Sequence, residues 1–255
     1  ERFTDDKVMK ILKSNGYNIV NLSLNFVKLS DHDLCLNLFF TKEFEVILWE
    51  STIAKPLLFT IMGIDQAHRD LILCKFSQLT KLNQTIEQPF FVYAHFILPH
   101  PPYIFGEDDE PVTPKSLSLD ADVWDDKPSY VNQVKFANKK ILETIDLILT
   151  ESDIPPIIII QSDHGTPTLL GGSGLNWNNV SEDSIKERMS ILNAYYFPEN
   201  ENMLLYGTIT PINSFRLIFN NYYNGTFDLL EDKMYYSNYK NPYNFTDVTN
   251  LLIKK

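Results

Sequence analysis

The chain has 255 residues, a formal net charge of −11 and a hydrophobic fraction of 44%. That length suits one large α/β domain or two small ones, with enough apolar residues for a sizeable core. With 33 Asp and Glu against 22 Lys and Arg, it lacks the clustered cationic face of a nucleic-acid binder, although an anionic substrate stays open because a bound metal reverses the local field.

In chain order, "TDDKVMKILKSNGYNIVNLS" predicts a helix and then a strand. Thr4 is placed to cap the helix, Val8, Ile11 and Leu12 share one face, and Gly16 suits the stop. Cys35 and Cys74 show no metal-type spacing and read as core thiols, which leaves the redox compartment open. Residues 42–82 predict two helical stretches broken near Pro56 and Gly63. The most apolar segment there, "AKPLLFTIMGI", is too short to span a bilayer and carries Lys55 and Pro56.

"PFFVYAHFIL" predicts a strand covered on both faces. A long, acidic, proline-rich loop follows, roughly 99–128. "SYVNQVKFANKKILETIDLILTESD" is the clearest helix, with Val134, Ala137, Ile141, Ile145 and Ile148 repeating at spacings of three and four. Pro155 and Pro156 end it, and "IIIIQS" predicts a buried strand. "ERMSILNAYYFP" predicts another strand, and "TPINSFRLIFNNYYNG" a helix with Pro211 near its start and Gly225 beyond its end. The Tyr- and Asn-rich last thirty residues read as an irregular tail. The alternation implies an α/β fold with a mostly parallel sheet and helices on both faces. Five N-x-S/T sequons begin at Asn21, Asn83, Asn179, Asn224 and Asn244. In a chain this rich in Asn, several arise by chance.

Two stretches carry chemistry. In open α/β sheets ligands gather at the carboxyl ends of strands, and "IIIIQSDHG" delivers Asp163 and His164 to such an end. A carboxylate oxygen and an imidazole nitrogen side by side suit a divalent metal. The plainer reading is a pair that only caps the following turn. "HFILPHPPY" presents His95 and His100, the second stiffened by Pro99, Pro101 and Pro102. A rigid imidazole suits a fixed contact to an anion or a leaving group. The plainer readings are a core histidine for His95 and a surface turn for His100. Lys186 and Arg188 lie near the next predicted strand and could offset substrate charge; the plainer reading is helix-end or surface cations. Arg216 reads as structural.

The ordered set of strand, PHPPY, long loop, long helix, strand and DHG resembles the alkaline phosphatase superfamily. Within it, the set looks like the sulfatase-like branch of sulfatases, lipoteichoic acid synthases and phosphoethanolamine transferases. The resemblance covers roughly residues 86–225. It implies a three-layer α/β sandwich and a metal-dependent hydrolase or transferase acting on sulfate or phosphate esters. By that resemblance Asp163 and His164 hold a divalent metal ion: zinc, manganese or calcium. His100 contacts the transferred group or protonates the leaving oxygen, and His95 is a second substrate-side candidate. The partner is an anionic ester substrate rather than nucleic acid, and the relatives imply an extracytoplasmic, membrane-associated protein with an anchor upstream.

The family pattern also calls for an early carboxylate ligand and a Ser, Thr or Cys nucleophile, and neither is found before residue 95. Ser51 and Thr52 come too late in the order, and Cys35 lacks the C-x-P-x-R pattern. The expectation is therefore a single sulfatase-like domain over 1–255 without its first strand and nucleophile segment. The alternative is a catalytically dead domain that binds anionic glycan or lipid head groups. A scaffold that binds a partner through its acidic loop and Tyr-rich tail is a further one.

Overall fold

The computed structural model describes residues 6–22, 32–33, 35, 64–114, 126–170, 180–198, 205–238 and 240–253. The chain divides into two compact units, Glu1–Asp153 and Ile154–Lys255, each described by itself. Helices and strands are mixed in both. No helix among the described residues is long and apolar enough to cross a membrane. Ser51 and Thr52 lie outside the described residues, as does the break near Pro56.

In the first unit, α1 (Lys7–Ser14) is capped by Asp6, whose Oδ1 accepts from the amides of Val8 at 2.7 Å and Met9 at 3.4 Å. The cap thus falls two residues after Thr4, which lies outside the described residues. Gly16 follows the helix end at φ +83°, a left-handed conformation open to glycine at little steric cost. β1 (Asn18–Leu22) sits between β2 (His32–Asp33) and β3 (Phe90–Ala94), parallel to both. Ile19, Val20 and Leu22 are fully buried, as a central strand covered on both faces requires.

Three further helices are described in this unit: α2 (Ile64–Leu79), α3 (Leu82–Thr85) and α4 (Lys127–Glu151). Ile72 and Phe76 of α2 pack with Ile104, Phe105 and Phe136 in one apolar cluster. Each such side chain contributes about 1.5–3 kcal/mol by leaving water. The ring of Phe105 stacks on Phe136, with centroids 4.0 Å apart.

Two expectations are corrected here. Cys35 and Cys74 are not free thiols. They form a disulfide, with their Cα atoms 5.9 Å apart. Their separation of 39 residues carried no sign of pairing, because only the fold brings residue 35 beside α2. Second, the buried face of α4 is Gln133, Phe136, Ala137 and Thr144. Of the predicted stripe, only Ala137 is fully buried; Val134, Ile141, Ile145 and Ile148 are half-buried. The helix is turned so that a polar side chain, Gln133, reaches the interior.

In the second unit, β4 (Ile158–Gln161) pairs antiparallel with β5 (Asn193–Tyr196), Ile158 opposite Tyr196 and Gln161 opposite Asn193. The mostly parallel expectation therefore holds for the first unit's sheet and not for this pair. The reason is local. The excursion between the strands leaves and re-enters at one strand end, where the Ser162 amide donates to the Leu192 carbonyl and the Leu192 amide to Ser162 Oγ, both at 2.9 Å. The isoleucines are also less covered than expected. Ile157–Ile160 are half-buried, and β4 has one paired neighbour among the described residues.

Within that excursion lies α5 (Glu182–Met189), capped by Ser181 Oγ, which accepts from the Ser184 amide at 3.1 Å. Acidic residues fill its first turn and Lys186 and Arg188 its last, matching the helix dipole. It takes Glu187–Met189 out of the predicted strand, which shortens to β5. α6 (Pro211–Tyr222) begins at the expected proline and buries Leu217, Ile218 and Phe219. Its first turn is capped from a distance by Asp232, whose Oδ1 accepts from Thr210 N and Oγ1 and from Asn213 Nδ2. The expected irregular tail is instead a hairpin of β6 (Tyr235–Asn238) and β7 (Asn241–Asp247), followed by α7 (Thr249–Leu252).

Candidate active site

The loop after β4 carries Asp163 and His164. The Asp163 side chain is 85% exposed, and its Oδ2 lies 3.4 Å from His164 Nε2. Its Oδ1 accepts from the His164 amide at 3.0 Å, which turns the carboxylate back over the imidazole. His164 Nδ1 lies 2.7 Å from Arg188 Nη1 and 3.1 Å from the Gly165 carbonyl. A guanidinium donates and never accepts. The short contact therefore makes Nδ1 the acceptor and leaves the ring proton on Nε2, facing Asp163.

α5 clamps this loop along its length. Arg188 Nη1 also donates to the Gly165 carbonyl at 2.8 Å, and the Gly165 amide donates to the Arg188 carbonyl at 2.7 Å. Glu187 accepts from the hydroxyls of Thr166 and Thr168 and from the Leu169 amide. Ser184 Oγ donates to the Leu169 carbonyl at 3.1 Å. Gly165 packs directly on the helix end: a Cβ there would lie 2.0 Å from the Glu187 carbonyl oxygen and 2.7 Å from that of Ser190. The loop is thus fixed from one side, and its acid and imidazole are left at the surface.

The other predicted stretch belongs to the first unit. His95 follows β3 and is exposed; its carbonyl accepts from Lys75 Nζ at 2.8 Å. Lys75 is 2% exposed, and burial lowers its pKa to about 8. On the same helix, burial first and the Lys75 charge second lower His68 to about 4. His100 is half-buried and donates from Nδ1 to the Pro101 carbonyl at 2.8 Å. That bond puts the neutral ring's lone pair on Nε2.

Gln133 holds the His100 segment. Its Oε1 accepts from the amides of Ile104 at 2.9 Å and Phe105 at 3.3 Å. Its Nε2 lies within hydrogen-bond distance of the carbonyls of Pro99, His100 and Pro102, the closest being His100 at 3.0 Å. Prolines have no amide hydrogen, so this segment cannot satisfy its own carbonyls and takes a donor from α4. Beyond it, Arg69 pairs with Asp109 and lies over the Phe105 ring at 4.5 Å, and Lys135 and Lys139 pair with Glu107 and Asp108. Tyr103 is buried, and burial first, with Tyr130 and Asp126 nearby, pushes its phenol above the ordinary range.

The structure thus joins Asp163 and His164 and places Arg188 on the imidazole and on the Gly165 carbonyl, a contact that its position near a helix end does not announce. It adds Gln133, for which the available signal was a run of prolines whose carbonyls needed an outside donor. Arg216 donates to the Asp228 carbonyl at 2.8 Å, a structural contact as expected. Cys35 spends its sulfur in the disulfide and offers no nucleophile. Among the described residues, no group of three or more His, Cys, Asp or Glu side chains gathers around one point.

A strand end that offers a carboxylate, an imidazole and a guanidinium together is suited to anionic esters. The sequence profile of the sulfatase family matches residues 2–190, and the chain belongs to that family. Membership sets the chemistry at the coarse level: hydrolase-like handling of sulfate or phosphate esters, in a family that generally uses a divalent metal ion. None of the curated proteins and none of the solved structures matches the chain.

Proposed function

We propose that this chain belongs to a metal-dependent hydrolase or transferase of sulfate or phosphate esters, and that Asp163 and His164 are two of its metal ligands. The observation that carries this reading is the 3.4 Å approach of Asp163 Oδ2 to His164 Nε2 at an exposed strand end. A hard oxygen and an imidazole nitrogen at that spacing fit zinc or manganese, and fit calcium less well because calcium prefers oxygen ligands throughout. When bound, such an ion supplies Lewis-acid polarisation of the ester oxygen.

The remaining roles fall to the chain's own groups. His100 contacts the transferred group or protonates the leaving oxygen through Nε2–H of its imidazolium form, since Nδ1–H is engaged by the Pro101 carbonyl. His95, exposed after β3, is the second substrate-side group. Gln133 and Arg188 are positioning residues for His100 and His164. The reading takes the chain as one sulfatase-like domain with the three-layer sandwich of its superfamily. Its support is that the family match runs across the Asp153–Ile154 boundary and that the first unit's sheet is parallel.

The test is Asp163→Asn, measured by calorimetric titration of the chain with zinc, manganese and calcium. Affinity should fall by about 100-fold or more for the preferred ion, beyond the roughly 10–100-fold that loss of an outer hydrogen-bond partner costs. Melting in chelator should be unchanged, because the side chain is exposed and an amide oxygen can still accept from the His164 amide. Equal metal affinity in variant and parent would remove the metal role. A large drop in stability without metal would leave Asp163 as a structural cap.

A further inference from the structure

Five sequons are too many to mean anything by count, but the fold sorts them. Asn21 is 4% exposed in the central strand β1, where no glycan fits. Asn83 spends its amide on Ser152 Oγ at 2.8 Å, tying α3 to the end of α4. Asn179 lies outside the described residues. Asn224 and Asn244 differ from these. Both are exposed, and so are the threonines that complete their sequons, Thr226 and Thr246. Asn224 stands just past the end of α6 at φ +51°, a conformation that asparagine tolerates better than most residues. Asn244 is central in β7, every residue of which is exposed.

A second observation concerns the compartment. Both cysteines of the chain are joined in the Cys35–Cys74 disulfide and none is free. Such bonds persist outside the reducing cytosol, on the side where N-linked glycans are attached.

We infer that Asn224 and Asn244 are acceptors of N-linked glycan. The donor is an oligosaccharide carried on a lipid diphosphate. The Asn amide nitrogen forms a bond to the sugar C1, the C1–oxygen bond to the diphosphate breaks, the lipid diphosphate leaves, and one amide proton passes to a base of the transferase. At Asn244 the sugar also has a physical consequence. Among the described residues β7 pairs with β6 along one edge only, and Tyr243 and Phe245 are exposed beside Asn244. Pro242 blunts the free edge at one position, and a glycan at Asn244 blocks strand addition at the next.

The experiment is expression of the chain behind a secretion signal in a cell that performs N-glycosylation. Enzymatic deglycosylation in heavy-oxygen water and peptide mass spectrometry then mark each occupied Asn as a labelled Asp. Occupancy is expected at Asn224 and Asn244 and is not expected at Asn21 or Asn83. Thr226→Ala and Thr246→Ala should each remove one glycan's mass. Translation into microsomes reads the same shifts by gel mobility, independently of secretion or folding yield. Unmodified Asn224 and Asn244 in either system overturns the inference, as does a secreted protein that carries its glycans at Asn21 and Asn83 instead.

Discussion

Arg188 Nη1 touches both His164 Nδ1, at 2.7 Å, and the carbonyl of the next residue, Gly165, at 2.8 Å. Because the guanidinium can only donate, the neutral ring should carry its proton on Nε2 in the metal-free chain. Nitrogen-15 NMR of His164 reads that tautomer directly. Arg188→Met should redistribute the proton toward Nδ1, where the Gly165 carbonyl waits at 3.1 Å. Zinc should drive the same change in the parent, since a metal on Nε2 displaces its proton. An Nδ1–H ring in the metal-free parent would show that Arg188 does not set the tautomer.

Gln133→Leu keeps the volume and removes every polar contact. Two buried amides and three carbonyls then lose their partner, and each buried unsatisfied group costs about 1–3 kcal/mol. The expected loss is on the order of 3 kcal/mol or more in urea unfolding, with helical circular dichroism retained. Limited proteolysis should begin in 99–105 before it begins elsewhere. A variant as stable as the parent would remove Gln133 as the fastener of that segment.

Stability should rise with pH in two separate windows. His68 is lowered from 6.5 to about 4 and Lys75 from 10.5 to about 8. In both the fold disfavours the cation, so the unfolded chain binds more protons between the folded and unfolded values. Below the folded value the penalty is complete, and above the unfolded value it is absent. The gain therefore runs from about pH 4 to 6.5 for His68 and from about pH 8 to 10.5 for Lys75, each on the order of 3 kcal/mol. Urea melts across pH check it. His68→Gln should flatten the acid window alone, and Lys75→Met should remove the alkaline one and narrow the acid one, because it also removes the charge that lowers His68. An unchanged alkaline slope in Lys75→Met would assign that window to other groups.

Replacing both cysteines by serine opens a loop whose ends are 39 residues apart. Chain entropy puts the loss near about 4 kcal/mol, within the usual span of about 2–5 for native bridges. Thermal unfolding of the double variant, compared with the parent under non-reducing conditions, measures it. A melting temperature that does not move would mean that the unfolded chain is already compact around this loop.

Periodicity and punctuation placed most of the described elements, because helix caps, prolines and apolar runs are local. α6 began at its proline, and β1 and β3 fell where their apolar residues run. What failed was non-local. The Cys35–Cys74 pairing depends on a chain path that no spacing encodes. Glu187–Met189 read as strand because Ile191–Phe197 beyond them are mostly apolar, and the Ser181 cap and the charge order of α5 overrode that pattern. The buried face of α4 was misread by about one residue, because pattern rules count apolar side chains and the decisive one is an amide. Among the candidate residues, Asp163, His164, His95 and His100 are chemistry-bearing types that follow predicted strands, which makes them legible in the sequence. The bonds of Gln133 to the His100 segment and of Arg188 to the His164 ring became visible only by geometry.

Gly165 inverts the usual map of mutational tolerance. In a library of random substitutions selected only for a folded product, Asp163 is exposed and should accept most replacements. Gly165 should accept almost none, since any side chain there strikes the backbone at the end of α5. A survey of that kind would mark the position with no chemistry as the indispensable one, and pass over the carboxylate beside it.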